Sequence, residues 1–257
     1  MNKHKNHIGF STLLYKECAR FLRLANQTIV PPLLTASLFI IIFGYSLGSR
    51  INEVSGVSYM FFLIPGLVMM SVISSSYANT SSSLYIQRFQ GSIQELLVSS
   101  LSSIEIVGAL VIAGLLRGVC VAVCVIGVAY LMTDIPIEHP LIVVYFVIFV
   151  SFIFSCAGFL TGIWAQDFDR LSVFQTYILT PLSYLGGVFF SVTMLPDFWQ
   201  KVALLNPILY FVNGLRYGFL GVSDVGIVTA AIAALIVAIA MFSMCLILFH
   251  RGYNIKV

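Results

Sequence analysis

IEIVGALVIAGLLRGVCVAVCVIGVAYLM, residues 104–132, holds one arginine, Arg117, and one acid, Glu105, at its second position. A helix needs about 20 apolar residues to cross a hydrocarbon core of about 30 Å, so this run can span a bilayer. Five further stretches read the same way: 27–48, 59–82, 139–165, 171–192 and 225–250. An even number of spans puts both chain ends on one side of the membrane.

Composition supports an all-α integral membrane protein and excludes a water-soluble fold. Of 257 residues 60% are hydrophobic and 9% charged, against about 45–50% and about 25% in a soluble domain. Mean hydropathy is +1.02, so lipid must solvate most side chains. The whole chain, 1–257, reads as a single transmembrane domain.

The net charge of +3 is a topology signal rather than a nucleic-acid signal, because no nucleic-acid-binding fold accompanies it. Cytoplasmic flanks keep Lys and Arg. Nine such residues fall on one side: Lys3, Lys5, Lys16, Arg20, Arg23, Arg88, Arg170, Arg251 and Lys256. The other side has three, Arg50, Lys201 and Arg216. Both termini are therefore expected in the cytoplasm. The first apolar run begins behind a polar segment with no small-residue cleavage site, which argues against a cleaved signal peptide.

Three segments lie outside the spans. Residues 8–24 mix Phe10, Leu13, Leu14, Phe21, Leu22 and Leu24 with Lys16, Glu17, Arg20 and Arg23, the pattern of a helix lying at the interface or of a cytoplasmic extension of the first span. The loop after the second span repeats a Ser-x-x-Glu capping pattern, at Ser92/Glu95 and at Ser102/Glu105. The first starts a short helix at 92–99 that offers Ile93, Leu96 and Leu97 to a partner protein or to lipid; the second starts the third span. In 193–224, Leu195–Pro196 and Asn206–Pro207 each resemble a helix start with Pro in the first turn. Two short helices dipping in from the outer face fit, since irregular backbone at membrane depth needs protein or a water-lined cavity around it.

Catalytic motifs are missing. The sequence has no GxxxxGK[ST] phosphate loop, no GxSxG and no HExxH, so this chain is not an enzyme and cannot hydrolyse ATP in the usual way. All ten acids fall in loops or flanks, which disfavours an ion-coupled carrier. Cys18, Cys120, Cys124, Cys156 and Cys245 show no CxxC and no His cluster; they read as small packing residues, with no metal site. Arg117 is the one charge deep in an expected span, placed there either to snorkel or to touch substrate. Small-xxx-small pairs at Gly44/Gly48, Gly114/Gly118, Gly158/Gly162 and Gly214/Gly218 permit close helix approach.

RFQGSIQELLVSSLS (88–102), TPLSYLGGVFFSVTMLP (180–196) and LNPILYFVNGLRYGFLG (205–221) together resemble ABC-2-type exporter permeases, in particular the bacterial YadH-like inner-membrane permeases, over nearly the whole chain. The resemblance implies a half-transporter of the bacterial inner membrane that pairs with a second copy of itself and with two copies of an ABC ATPase. ATP and Mg would be bound by that partner, and none by this chain. It makes 92–99 the coupling helix, with Arg88, Gly91, Ile93, Glu95, Leu96 and Leu97 as coupling residues. It makes 193–221 a re-entrant extracellular pair marked by Pro196, Asn206, Pro207, Tyr210 and Arg216. Ser100 stands where many relatives carry Pro. The cargo of the family ranges over glycans, lipids and drugs; a membrane assembly protein without a transport cycle is the alternative of another class.

Overall fold

The computed structural model of the chain describes residues 6–47, 53–54 and 56–252. Lys3, Lys5, Gly48, Arg50 and Lys256 lie outside the described residues. In order the elements are α1 (His7–Arg23), α2 (Ala25–Thr28), α3 (Val30–Phe39) running into a π-helical stretch Ile40–Leu47, a two-residue hairpin of β1 (Glu53–Val54) and β2 (Val57–Ser58), and α4 (Tyr59–Phe89). There follow α5 (Ile93–Val98), α6 (Ser103–Thr133), α7 (Pro140–Trp164), α8 (Phe168–Phe174), a π turn Gln175–Leu179 and α9 (Thr180–Leu185). The 3-10 turn Val192–Met194, α10 (Asp197–Leu204), α11 (Pro207–Leu220) and α12 (Ile227–His250) complete the chain.

Among the described residues five helices are long and apolar enough to cross a membrane: Ala25–Gly44, Tyr59–Phe89, Ser103–Thr133, Pro140–Trp164 and Ile227–His250. The expected span 171–192 is instead a jointed helix from Phe168 to Leu185, about 27 Å long at the usual rise, with Asp169 and Arg170 in its first turn. It stops early because Gly186 and Gly187 turn the chain, Gly187 with φ +78°. The joint answers Pro181, which lacks an N–H; there Thr180 Oγ1 donates to the carbonyl of Gln175, five residues back, at 3.0 Å.

α4 overruns the expected end at 82. The serine-rich stretch 74–83 stays helical: Ser82 Oγ donates to the Ala78 carbonyl four residues back at 2.6 Å, Ser83 Oγ donates to Glu17 Oε2 at 2.6 Å, and Ser76 sits against Gly118 with no hydrogen-bond partner for its hydroxyl among the described residues. α4 is the buried axis of the bundle, wedged between α6 and α7. The glycine pairs make this possible. Gly114 faces Thr80 and Ser155, Gly118 faces Ser76 and Ser151, and Gly158 faces the Tyr77 carbonyl so closely that a Cβ would collide. Gly214 and Gly218 do the same for α11 against Phe146 and Val143 of α7.

Both described chain ends lie at one end of the bundle. The N–H of Asn6 donates to Glu105 Oε1 at 2.8 Å, and Leu246, Ile247, His250 and Arg251 of the α12 end form a groove of about 430 Å³ with Ser103 and Ile104. α4 and α6, of 31 residues each, are about 46 Å long and exceed a hydrocarbon core by about 16 Å.

Candidate functional site

The turn from α4 into α5 is set by backbone. Gln90 N–H bonds the Ile86 carbonyl at 2.9 Å and Gly91 N–H the Arg88 carbonyl at 3.1 Å, while Gly91 takes φ +75°, a conformation that favours glycine. Arg88 fixes the turn from the side. Its Nη1 donates to the carbonyls of Gly162, Ile163 and Ala165 at 2.7, 2.7 and 2.9 Å, so a cation caps the carbonyl end of α7. Arg88 thus braces the last turn of α4 against α7, one step before α5 begins.

α5 exits through Ser99, whose backbone is extended. The second capping box forms in full: Glu105 Oε2 accepts from Ser102 N–H at 2.7 Å and Ser102 Oγ accepts from Glu105 N–H at 3.3 Å. The first does not. Ser92 adopts helical angles, makes no side-chain cap and reaches only the Gln87 carbonyl at 3.4 Å. Ser100 uses its hydroxyl to accept from Asn6 Nδ2 at 2.7 Å, a bond that proline could not make.

The expected docking face needs correction. Ile93 is 1% exposed and packs with Leu13, Leu84, Leu101 and Ile106, and Leu96 is half-buried on the same cluster. A helix of six residues has room for one inward stripe, and i, i+3 spacing gives it to 93 and 96. The outward face consists of Gln94, Glu95, Leu97 and Val98 with neighbouring Phe89; Val98 is 88% and Phe89 79% exposed.

α1 is clamped to this region by a carboxylate that the sequence reading left among the flank charges. Glu17 is buried; its Oε2 accepts from Ser83 Oγ at 2.6 Å and from Arg20 Nε at 3.2 Å, and its Oε1 from Gln87 Nε2 at 2.9 Å. Arg20 Nη2 then donates to the carbonyl and Oδ1 of Asn79 at 3.0 and 3.2 Å. The signal was present in the spacing. Glu17 lies four residues from both Leu13 and Phe21, in the middle of the buried stripe of α1.

At the opposite end α10 and α11 form a hairpin. Pro196 precedes α10 and Pro207 opens α11. At the corner Asn206 accepts from Ile208 N–H at 3.0 Å and donates to the Leu182 carbonyl at 2.6 Å, and the Tyr210 hydroxyl donates to the Leu204 carbonyl at 3.0 Å. The far end of α11 meets the α6–α7 turn, where Glu138 and His139 N–H groups bond the carbonyls of Phe219 and Gly218. Arg216 is not a loop charge. It is 1% exposed, donates to the Gly187 carbonyl at 2.6 Å and to Asn213 Oδ1 at 3.3 Å, and lies 3.7 Å from the centroid of the Phe62 ring. Asn213 Oδ1 also accepts from Asp224 N–H at 2.9 Å, and Asp224 accepts from Ser191 and from Val192 N–H. Without Arg216 the charge asymmetry keeps its sign.

Arg117 is half-buried on α6. Its Nε is buried with no partner. All five cysteines are free, and among the described residues no cluster of three metal-ligating side chains occurs.

A helical bundle with long apolar helices and a short, braced loop helix at one end defines a polytopic membrane protein, and the family model for the ABC-2 type transporter matches residues 9–220. The chain belongs to the ABC-2 type transporter family and is a transport permease of that type. Over 253 residues it is 41% identical to the inner membrane transport permease YadH of Escherichia coli (strain K12), across 98% of this chain and 99% of the relative. Nodulation protein J of Sinorhizobium fredii (strain NBRC 101917 / NGR234) is 24% identical over 209 residues, 81% of this chain and 80% of the relative. Nodulation protein J of Rhizobium leguminosarum bv. viciae is 25% identical over 184 residues, 69% of each.

Proposed function

We propose that two copies of this chain form the membrane half of an exporter that moves a lipid-like, glycan or drug-like substrate outward, driven by ATP that two separate ABC ATPase subunits bind with Mg and hydrolyse. The observation that carries this reading is α5. It is held by the Gly91 turn, by buried Ile93 and by the Ser102–Glu105 box, and still presents Phe89, Glu95, Leu97 and Val98 outward. A rigid knob between two long helices transmits force: closure of the two ATPases on their knobs tilts α4 and α6 as rods.

In this reading the α5 end is cytoplasmic and holds both termini. The jointed helix Phe168–Leu185 is the remaining one of six spans, and the α10–α11 hairpin enters from the outer face, with Arg216 and Asp224 holding its base. The ATPase partner is tested by purification in mild detergent with identification of co-purifying proteins, and the dimer by crosslinking. A Walker-type ATPase and a crosslinked pair are expected; a complex with a strictly monomeric permease overturns the half-transporter. Cysteines placed at Glu53 and Glu138, in a background free of native thiols, should label from outside intact cells. Labelling at His7 or Arg251 reverses the topology.

A further inference from the structure

We propose that Arg20 and Arg117 form a binding site for the phosphate of an anionic phospholipid headgroup, beside the elbow where α1 turns into α3. The two side chains belong to one layer of the bundle. Arg20 is bonded to Asn79, which stands on α4 between Ser76 and Thr80. Arg117 stands on α6 between Gly114 and Gly118, the residues against which Thr80 and Ser76 seat. α1, which carries Arg20, packs against α6, which carries Arg117.

That layer is short of one anion. Among the described residues the ion pairs are Glu17–Arg20 and Asp167–Arg170, and Glu17 is already occupied by Ser83, Gln87 and Arg20. Arg117 makes no hydrogen bond or ion pair among the described residues, and its Nε is buried without a partner. The Nδ2 of Asn79, a residue 1% exposed, is a second buried donor left unpaired. Two guanidinium groups with one carboxylate between them leave a net positive charge. A phosphate, with oxygens that match the guanidinium fork, neutralises it.

Depth selects the source of that phosphate. Arg117 lies fourteen residues past Ser103, about 21 Å along the helix. The helix overhangs a hydrocarbon core by about 16 Å, and α1 packs against it, with Asn6 bonded to Glu105 and Phe10 facing Gly108. With the overhang on the α5 side, Arg117 sits about 5 Å inside the apolar boundary, where a long side chain snorkels to headgroups. The apolar neighbours in sequence, Leu22, Leu24 and Leu116, are exposed, as a surface receiving acyl chains requires. Arg23, in the last turn of α1, adds positive potential that attracts anionic lipid.

The test uses the full chain in detergent with phosphatidylglycerol or phosphatidylcholine added, read by native mass spectrometry and by the shift in melting temperature. Wild type should hold phosphatidylglycerol in preference to phosphatidylcholine and be stabilised by it. Arg117→Gln should weaken that retention at least about fivefold, the order expected for one cation near a membrane surface. Arg117→Lys should recover part of it, and Lys16→Gln, on the exposed side of α1, should leave it unchanged. Equal binding of the two lipids by wild type, or undiminished phosphatidylglycerol binding by Arg117→Gln, overturns the site. Should Arg117→Gln fold poorly, the wild-type lipid preference and the Lys variant decide. Inorganic phosphate is the third probe: if millimolar phosphate stabilises wild type as well as phosphatidylglycerol does, the site takes free phosphate and the lipid assignment is wrong.

Discussion

Ten residues apart the chain carries one pattern twice, Ser92-Ile-Gln-Glu95 and Ser102-Ser-Ile-Glu105, and the two fold differently. At Ser102 the backbone is extended, φ −78° and ψ 159°, so the hydroxyl and the Glu105 carboxylate reach each other's backbone and the box closes. At Ser92 the angles are already helical, φ −66° and ψ −15°, because the Gly91 turn feeds straight into α5, and no box can form. The difference has a functional consequence. Glu105 is consumed in tying α1, the α5 exit and α6 together, whereas Glu95 is left free on the outer face of α5 beside Leu97 and Val98. One carboxylate anchors the knob, and the other is available to what the knob touches.

The largest effect should come from the free face. Leu97→Asp with Val98→Asp changes exposed positions only, so folding should survive, yet charges pressed into a partner's cleft without a counter-ion cost several kcal/mol. Export and co-purification with the ATPase should fall by about tenfold or more. If both persist, α5 is not the coupling element. Next comes the anchor. Glu105→Ala removes the acceptor for the Ser102 and Asn6 N–H groups and should cost about 1–2 kcal/mol, read as a lower melting temperature, with loosened α1 seen as faster amide exchange near His7. Gly91→Ala should cost about 1 kcal/mol through its positive φ, although a Cβ there meets no neighbour. A loss of several kcal/mol would mean that the turn is crowded rather than merely left-handed.

Much of this arrangement was legible in order of distance along the chain. Apolar runs gave the long helices, and the Ser102 box and the two prolines of the α10–α11 hairpin were local signals that survived folding. What failed needed a neighbour. The expected span 59–82 falls short of the helix end at Phe89, because the partners that hold Ser82 and Ser83, the Ala78 carbonyl and Glu17, are not in the pattern of the run itself. Arg216 read as a flank charge because its acceptor, the Gly187 carbonyl, lies 29 residues away. Ile93 read as exposed because a helix of six residues carries no periodicity long enough to tell its inner stripe from its outer one. Glu17 was legible in principle, since it interrupts an apolar stripe, but a lone charge in an amphipathic helix is ordinarily solvated and only Ser83 and Gln87 make it otherwise.

The smallest expected effects are the most direct test of the comparison. Ser102→Ala loses the side-chain acceptor that holds the Glu105 N–H and should cost about 1 kcal/mol. Ser92→Ala loses a hydroxyl whose one contact is a 3.4 Å approach to a carbonyl, and it should cost less than about 0.5 kcal/mol. Glu95→Gln should likewise leave the melting temperature of the isolated permease unchanged, because no cap depends on the carboxylate. Its charge matters only when a basic residue of the partner faces it, so any effect of Glu95→Gln should appear in the complex with the ATPase, as a weaker and more salt-sensitive association. Equal destabilisation by Ser92→Ala and Ser102→Ala would mean that both boxes close in the membrane. Glu95 would then be an anchor like Glu105, and the recognition assigned to the outer face of α5 would rest on Phe89, Leu97 and Val98 alone.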